Sequence, residues 1–288
     1  IIIPKRDAHL QNRFARLIQQ LYPTISSTRR QIRNLELDTV SELLTTPPAF
    51  RFRALGRTEV ILSGHSITNS EWKTLVSRDM LFCLLAHPEG LTREELGAIF
   101  WPDASPSQLK TRFKNTVYRL RNAIDSNVVV YEDNIYQFNW ALDHEYDVET
   151  LTTLIRQAER TTDEKNRLKF LTNAVNVYSG AYCTELHYDW AWVERERLDQ
   201  LYRHGLRDLG RIHFRAGRYQ QAMDWCQIML AHDPCWESAH RLAMRVHAAL
   251  GNRVAIARQY VKCEQALHNE IDALPSELTE ELYKQLMA

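Results

Sequence analysis

The sequence contains no long apolar run. No stretch of its 288 residues approaches the roughly 18 uninterrupted apolar residues that a membrane-spanning helix requires. The opening letters IIIPKRD also lack the apolar core and cleavage site of a secretory signal. We therefore expect a cytoplasmic protein with no membrane partner. Because the first residue is isoleucine rather than methionine, we also allow for a longer parent polypeptide with an upstream sensing domain.

Cysteine and catalytic motifs are equally sparse. The five cysteines are odd in number, lie far apart and form no C-x-x-C pair, which indicates neither a disulfide framework nor a zinc knuckle. His240 and His247 share a helical face, but their i,i+7 spacing is too long for two ligands of one ion. The sequence has no Walker A loop, no G-x-S-x-G and no H-E-x-x-H. We predict that the protein is not an enzyme and binds no metal or cofactor.

The chain has no formal net charge, because 36 lysines and arginines balance 36 aspartates and glutamates. This balance fails between residues 105 and 125, where Asp125 is the single acid. The basic side chains in that stretch are Lys110, Arg112, Lys114, Arg119 and Arg121. A neutral protein can still present a basic face, and the local potential is what attracts a polyanion.

The first half of the chain changes character at residue 50. Residues 8–22 and 28–45 have the apolar spacing of amphipathic helices, and we assign residues 1–49 to a helical segment or linker. From residue 50 to 140, short alternating runs predict a small antiparallel sheet, and three helices follow. VVVY, EDN and IYQF then predict a β-hairpin. This order of elements is that of a winged helix with an N-terminal sheet.

The second half, residues 145–288, reads as one helix after another. Gly217 and Gly251 lie 34 residues apart, and each ends one helix and opens the next. A helix-turn-helix period of 34 residues is typical of tetratricopeptide-like repeats, although Ala222 is answered by Ile256 at the same offset. The predicted fold class is thus mainly α: an α+β winged helix followed by an all-α domain of helical repeats.

The basic stretch is amphipathic when it is placed on a helical wheel. One stripe is apolar and must pack on the domain core; it contains Leu109, Phe113, Val117, Leu120 and Ile124. The opposite side has a small polar centre, which consists of Thr111, Asn115, Tyr118 and Asn122. Cations flank this centre; they are Lys110, Arg112, Lys114, Arg119 and Arg121. A helix in the major groove needs such polar side chains for base edges and cations for the two phosphate backbones.

The hairpin after this helix is expected to reach the minor groove. Asn134 at its turn is a candidate contact to sugar or phosphate, although asparagine also simply suits a turn. For Tyr136 we favour packing on the core over a contact to DNA.

Two sets of motifs resemble a known class of bacterial regulators. Residues 50–138, through LGRTEVILSG, LFCLLAHPEGLTREELGAIFWPD and VYRLRNAI, resemble the OmpR-type winged-helix domain of the antibiotic regulatory protein (SARP) class. Residues 147–286, through LTNAVNVYSG, DWAWVERERL, GRYQQAM and DPCWESAHRLAM, resemble the bacterial transcriptional activator domain that follows it. The resemblance implies an activator that binds double-stranded promoter DNA as a homodimer and recruits RNA polymerase. It also implies that residues 106–124 form the recognition helix.

A different function remains open at this point. The second hypothesis is an adaptor built on tetratricopeptide-like repeats, whose winged helix binds protein rather than DNA. The neutrality of the whole chain and the acidic C-terminal half favour it mildly. Binding of DNA at low salt separates the two hypotheses.

Overall fold

The computed structural model describes residues 48–288, so the helices predicted at 8–22 and 28–45 lie outside the described residues. The chain divides into two compact units. The first unit contains the described residues up to Asp147 together with Tyr182–Arg195, and the second contains Val148–Ala181 and Glu196–Ala288.

The first unit opens with the predicted sheet. Its strands are β1 (Phe50–Arg53), β2 (Glu59–Leu62), β3 (His65–Ser66) and β6 (His144–Tyr146), in the order β3-β2-β1-β6. β1 pairs antiparallel with β2, as the alternating pattern predicted, but it also pairs parallel with β6, with Phe50 opposite His144. The sheet therefore includes a strand beyond residue 140, which local sequence patterns did not indicate.

Helices and a hairpin complete the winged-helix order. The helices are α1 (Asn69–Trp72), α2 (Leu75–Ala86), α3 (Arg93–Phe100) and α4 (Pro106–Ala123). The hairpin consists of β4 (Val129–Glu132) and β5 (Ile135–Phe138). α2 is the core of the unit, because most of its side chains, including Met80 and Leu84, are buried. Thr92 is followed three residues later by Glu95, the sequence pattern of a capping box, and the structure has this box at the start of α3.

The segment Tyr182–Arg195 packs on the first unit although it follows two helices of the second. The backbone N–H of Cys183 donates to the carbonyl of Ala54 at 2.7 Å. Arg195 donates to three backbone carbonyls, those of Tyr182, Cys183 and Leu186. Because one guanidinium satisfies three carbonyls, Arg195 holds the loop in one conformation.

Ion pairs tie the same segment to α2. Arg78 lies between Asp79, at 3.1 Å, and Glu185, at 2.9 Å. The Tyr188 hydroxyl donates to Asp79 at 3.2 Å. Burial raises the pKa of Asp79, and the adjacent Arg78 opposes that rise.

The second unit is entirely helical in the described residues. Its helices are α5 (Asp147–Arg160), α6 (Glu164–Val177), α7 (Asp189–Arg215), α8 (Tyr219–His232), α9 (Glu237–Ala249), α10 (Arg253–Ile271) and α11 (Glu277–Met287). Asp147 at the start of α5 and residues 189–195 of α7 belong to the first unit. No described helix is both long and apolar enough to cross a membrane.

The 34-residue repeat has the same turn in both copies. After α7, the N–H of Gly217 donates to Phe214 and that of Arg218 to His213; after α9, Gly251 donates to Ala248 and Asn252 to His247. This pair of bonds is a Schellman motif, which needs a residue of positive φ. Gly217 and Gly251 supply it with φ of 70° and 68°.

The two copies of the repeat differ at one matching position, which is nevertheless buried in both. Ala222 and Ile256, the two residues at matching offsets, are both buried. The difference in their volume is thus absorbed inside the unit, and the predicted all-α repeat architecture is confirmed.

Candidate nucleic-acid interface

The basic helix α4 begins at a well-defined cap. The Ser105 hydroxyl accepts from the N–H of Gln108, whose side chain accepts from the N–H of Ser105 at 3.0 Å. Pro106 occupies the first helical turn, where its missing N–H costs nothing. The helix therefore starts at the residue that the sequence indicated.

One face of α4 is fixed by packing. Phe113, Thr116, Val117 and Leu120 are buried, as the apolar stripe predicted for three of them. Gly97 of α3 lies so close to α4 that a Cβ there would come within 2.6 Å of Leu109. The two helices of the helix-turn-helix thus approach through a glycine, which sets the position of α4.

The opposite face is open to solvent. The exposed predicted contacts are Lys110, Thr111, Arg112, Lys114, Asn115, Tyr118 and Asn122. Tyr118 is 65% exposed although it is a large aromatic. Arg119 is half-buried at the margin of this face. The polar centre and most of its flanking cations therefore share one accessible surface, which we call the α4 face.

The cations of the α4 face have no partner among the side chains that the structure describes. Within residues 48–288, no ion pair or hydrogen bond engages the side chains of Lys110, Arg112, Lys114 or Arg119. The Thr111 hydroxyl is occupied, since it donates to the carbonyl of Ser107 at 3.2 Å. Four positive charges are thus available to an external anion.

Arg121 differs from the other predicted cations. It is half-buried, and its Nη2 donates to the carbonyl of Val129 in β4 at 2.9 Å. This bond joins the end of α4 to the hairpin. Arg121 therefore has a structural role, and the helical wheel gave no signal of it because it shows no partner outside the helix.

The hairpin turn is built from Asp133 and Asn134, both with positive φ, at 49° and 67°. Such a turn favours asparagine for conformational reasons. The side chain of Asn134 also forms a hydrogen bond within the hairpin, because the Tyr131 hydroxyl donates to Asn134 Oδ1 at 3.3 Å. Asn134 is exposed.

Tyr136 packs against α4 as expected. Its ring lies 4.6 Å from that of Phe113 and 4.4 Å from that of Tyr131. Burial raises the pKa of Tyr136. Tyr131, which is 52% exposed, packs beside Tyr136 in the hairpin; the sequence signal was only its place at the end of a strand.

The tip of the hairpin is acidic. Glu132 and Asp133 are both exposed. Phosphates repel carboxylates, so the tip is poorly suited to the DNA backbone. The α4 face, rather than the hairpin tip, is the electropositive element of this unit.

The described residues contain no group of three or more His, Cys, Asp or Glu side chains that could hold a metal ion. Burial raises the pKa of four thiols to about 12; these are Cys83, Cys183, Cys226 and Cys263. Thiols of such high pKa are poor nucleophiles. They act as small core side chains.

Comparisons with known proteins bear on both units. Residues 146–287 match the family described as the bacterial transcriptional activator domain. Among solved structures, the chain is similar to Mycobacterium tuberculosis EmbR, solved in complex with a low-affinity phosphopeptide, with a TM-score of 0.68 at 14% identity. The match covers 84% of this chain and 65% of that chain. No curated protein matches the sequence.

At 14% identity, the likeness to EmbR shows a shared fold over most of the chain. The family match is independent of that likeness and covers the helical repeats. The family match to residues 146–287 confirms the predicted resemblance of residues 147–286 to the bacterial transcriptional activator domain, and together with the fold shared with EmbR it supports the resemblance to regulators of the SARP type.

Proposed function

We propose that this protein regulates transcription by binding promoter DNA through the α4 face. The observation that carries the proposal is that this face combines accessible polar side chains with cations that have no partner in the described residues. The second support is the activator domain that follows it in the chain.

In this proposal α4 lies in the major groove. Its 18 residues give a length of about 27 Å, and the groove is about 12 Å wide, which admits a helix. Lys110, Arg112, Lys114 and Arg119 neutralise phosphates on the two backbones. These contacts provide most of the affinity and make it strongly salt-dependent.

The polar centre provides the sequence preference. Asn115 is exposed in the middle of the α4 face, and an asparagine amide can pair with an adenine edge through two hydrogen bonds. Tyr118 and Asn122 extend the same face by about one and two helical turns. Asn134 at the hairpin turn is kept as a contact to a sugar rather than to a phosphate, because the acidic side chains beside it repel phosphate.

Partners and setting complete the proposal. We place the protein in the cytoplasm, as a homodimer on direct repeats of its site that contacts RNA polymerase through the activator domain. Protein partners are supported by the family of residues 146–287. Their identity belongs to the proposal, as does the absence of enzymatic activity.

A selection of DNA ligands from a random pool tests this function directly. We expect the purified chain to enrich one motif, repeated at a spacing of about one helical turn. The Arg112→Ala/Lys114→Ala variant should fail to enrich it, while Arg258→Ala/Lys262→Ala, which removes two exposed cations from α10, should enrich the same motif. If the chain retains no DNA at low salt, the DNA-binding proposal is wrong and the hypothesis of a protein-binding adaptor is favoured instead.

A further inference from the structure

A second candidate site lies in the helical repeats. A cavity of about 440 Å³ opens along α7 and reaches the residue before α9. Its lining residues are Gln200, Leu201, Arg203, His204, Arg207 and Trp236. This volume lies within the range of ligand sites, and the proposed DNA-binding function makes no use of it.

Trp236 and Arg203 form one wall of the cavity. The guanidinium carbon of Arg203 lies 4.2 Å from the centre of the Trp236 ring. The same guanidinium donates to Asp233 Oδ2 at 2.8 Å. Arg203 is therefore held rigid and its charge is compensated.

The other acids near the cavity have partners other than Arg207. Asp208 accepts from Arg167 at 2.6 Å, and Asp199 lies 2.7 Å from His232. Glu159 lies 4.0 Å from His204 and is 54% exposed, so water screens its charge. None of these acids forms an ion pair with Arg207, which also lines the cavity.

Arg207 has an incomplete set of partners. Its Nη2 lies 3.2 Å from His204 Nδ1, which accepts this bond since His204 Nε2 faces Asp208 at 3.5 Å. Its Nε is buried and finds no acceptor among the described residues, and no ion pair within residues 48–288 compensates its charge. A buried donor without an acceptor is costly and rare. An anion that accepts hydrogen bonds from the Arg207 guanidinium would therefore be bound favourably, because it would also compensate the positive charge.

The polar residues of the cavity form a line along α7. Gln200, Arg203 and Arg207 line the cavity, and Arg211, which is exposed and lies beyond the cavity, continues the same row at a spacing of four residues. Spacings of three and four residues place all four on one face of the helix. The line is about 16 Å long at 1.5 Å per residue. An extended peptide of about five residues has the same length, whereas a small anion would fill only one end.

We propose that this cavity binds an extended acidic segment of a protein partner. One carboxylate accepts from Arg207, and a second, two residues along the peptide, meets Arg211. The side chains of the rest of the segment, next to Gln200 and Arg203, pack on Leu201 and Trp236. Arginine suits this role because its planar fork presents paired donors to a carboxylate.

The test is fluorescence polarisation of a labelled ten-residue peptide of alternating glutamate and leucine. The protein is the full chain with Arg112→Ala/Lys114→Ala, which removes two of the four cations of the α4 face and so weakens any binding of the peptide there. A peptide with glutamine in place of every glutamate is the matched ligand control. We expect saturable binding of the glutamate peptide and no binding of the glutamine peptide.

Variants assign the binding to the cavity. Arg207→Gln should weaken the peptide roughly 10- to 100-fold, as for the loss of a hydrogen bond between charged groups, and Arg207→Lys should restore part of the affinity. Arg258→Gln, an exposed arginine on α10, is the matched control and should change nothing. Circular dichroism checks the fold of each variant, and Arg211→Gln gives a second readout if Arg207→Gln does not fold.

Three results would overturn the proposal. They are no binding of the glutamate peptide, equal binding of the glutamine peptide, or full affinity in both Arg207→Gln and Arg211→Gln. None of these results affects the DNA-binding proposal, because they concern residues of α7 and not those of the α4 face.

Discussion

The arginines of α4 and those of the helical repeats have different surroundings. On the α4 face, Arg112 is exposed without an ion pair in the described residues. In the repeats, Arg167 bonds Asp208 at 2.6 Å and Arg203 bonds Asp233 at 2.8 Å. Arg112 thus serves as an available charge, whereas Arg167 and Arg203 serve as internal connectors.

Arg241 shows what a connector does. Its Nη1 donates to the Thr279 hydroxyl at 2.7 Å and lies 3.6 Å from Glu237. Glu237 in turn accepts from the backbone N–H and the hydroxyl of Ser276, at 2.9 and 2.6 Å, and from Thr279. This network joins α9 to the first turn of α11. Pairing, rather than the number of cations, therefore separates a scaffold from a binding face.

The largest expected effect is on DNA affinity. Arg112→Ala/Lys114→Ala should weaken binding roughly 100-fold, since each charge-assisted contact contributes roughly 1.5 kcal/mol and about 1.4 kcal/mol is tenfold. Gel shifts on the selected motif measure this loss. Arg258→Ala/Lys262→Ala should stay within about twofold, because salt screens charges outside the interface. Equal losses in the two variants would contradict the comparison.

The next effect is on the stability of the repeats. Glu237→Ala removes the acceptor shared by Ser276 and Thr279 and leaves Arg241 without its acid, so we expect a loss of about 2 kcal/mol in the free energy of unfolding. Urea unfolding followed by circular dichroism measures it. Under native conditions the DNA affinity should be unchanged; a parallel fall in affinity would show that the α4 face depends on this network.

A smaller effect concerns sequence preference. Asn115→Ala should lower the preference for one or two base pairs by about 1–3 kcal/mol, while Lys114→Ala should weaken all sites alike. Competition gel shifts with single-base variants of the motif distinguish these two patterns. If Asn115→Ala weakens every site equally, Asn115 does not read bases.

The smallest expected effect is a dependence of the stability of the helical repeats on pH. Burial lowers the pKa of His240, although hydrogen bonds with Pro234 and Gln259 oppose the shift. The unfolded chain then binds more protons than the folded one below the ordinary value of 6.5, so stability falls as the pH drops through that value. α4 contains no histidine and should not respond.

Amide hydrogen exchange at pH 7.5 and 5.5, corrected for intrinsic rates, measures this difference in α9, α10 and α4. Exchange should accelerate at low pH in α9 and α10 only. His240→Gln should reduce the acceleration, and an undiminished effect in that variant would assign it to other groups.

Local sequence patterns were sufficient for several elements. The capping box of Thr92 and Glu95, the apolar stripe of α4 and the glycine period of 34 residues each follow from neighbours within a few turns, and the structure confirms them. The exposed side of α4 could likewise be read from its period. Propensity and periodicity describe contacts that are close in sequence.

Distant contacts could not be predicted in this way. The pairing of β1 with β6 joins residues about 90 apart, and Tyr182–Arg195 returns to the first unit after two helices of the second. For Arg121, the partner is the carbonyl of Val129, eight residues away in a different element. Such contacts depend on tertiary packing, which a pattern along one helix does not contain.

The salt dependence of DNA binding tests the central claim most directly. The logarithm of the association constant should fall linearly with the logarithm of the salt concentration, and the slope should be shallower by about 2 in Arg112→Ala/Lys114→Ala, about one unit for each phosphate contact removed. An identical slope in the wild-type chain and the variant would mean that these cations do not contact DNA, and the α4 face would not be the interface.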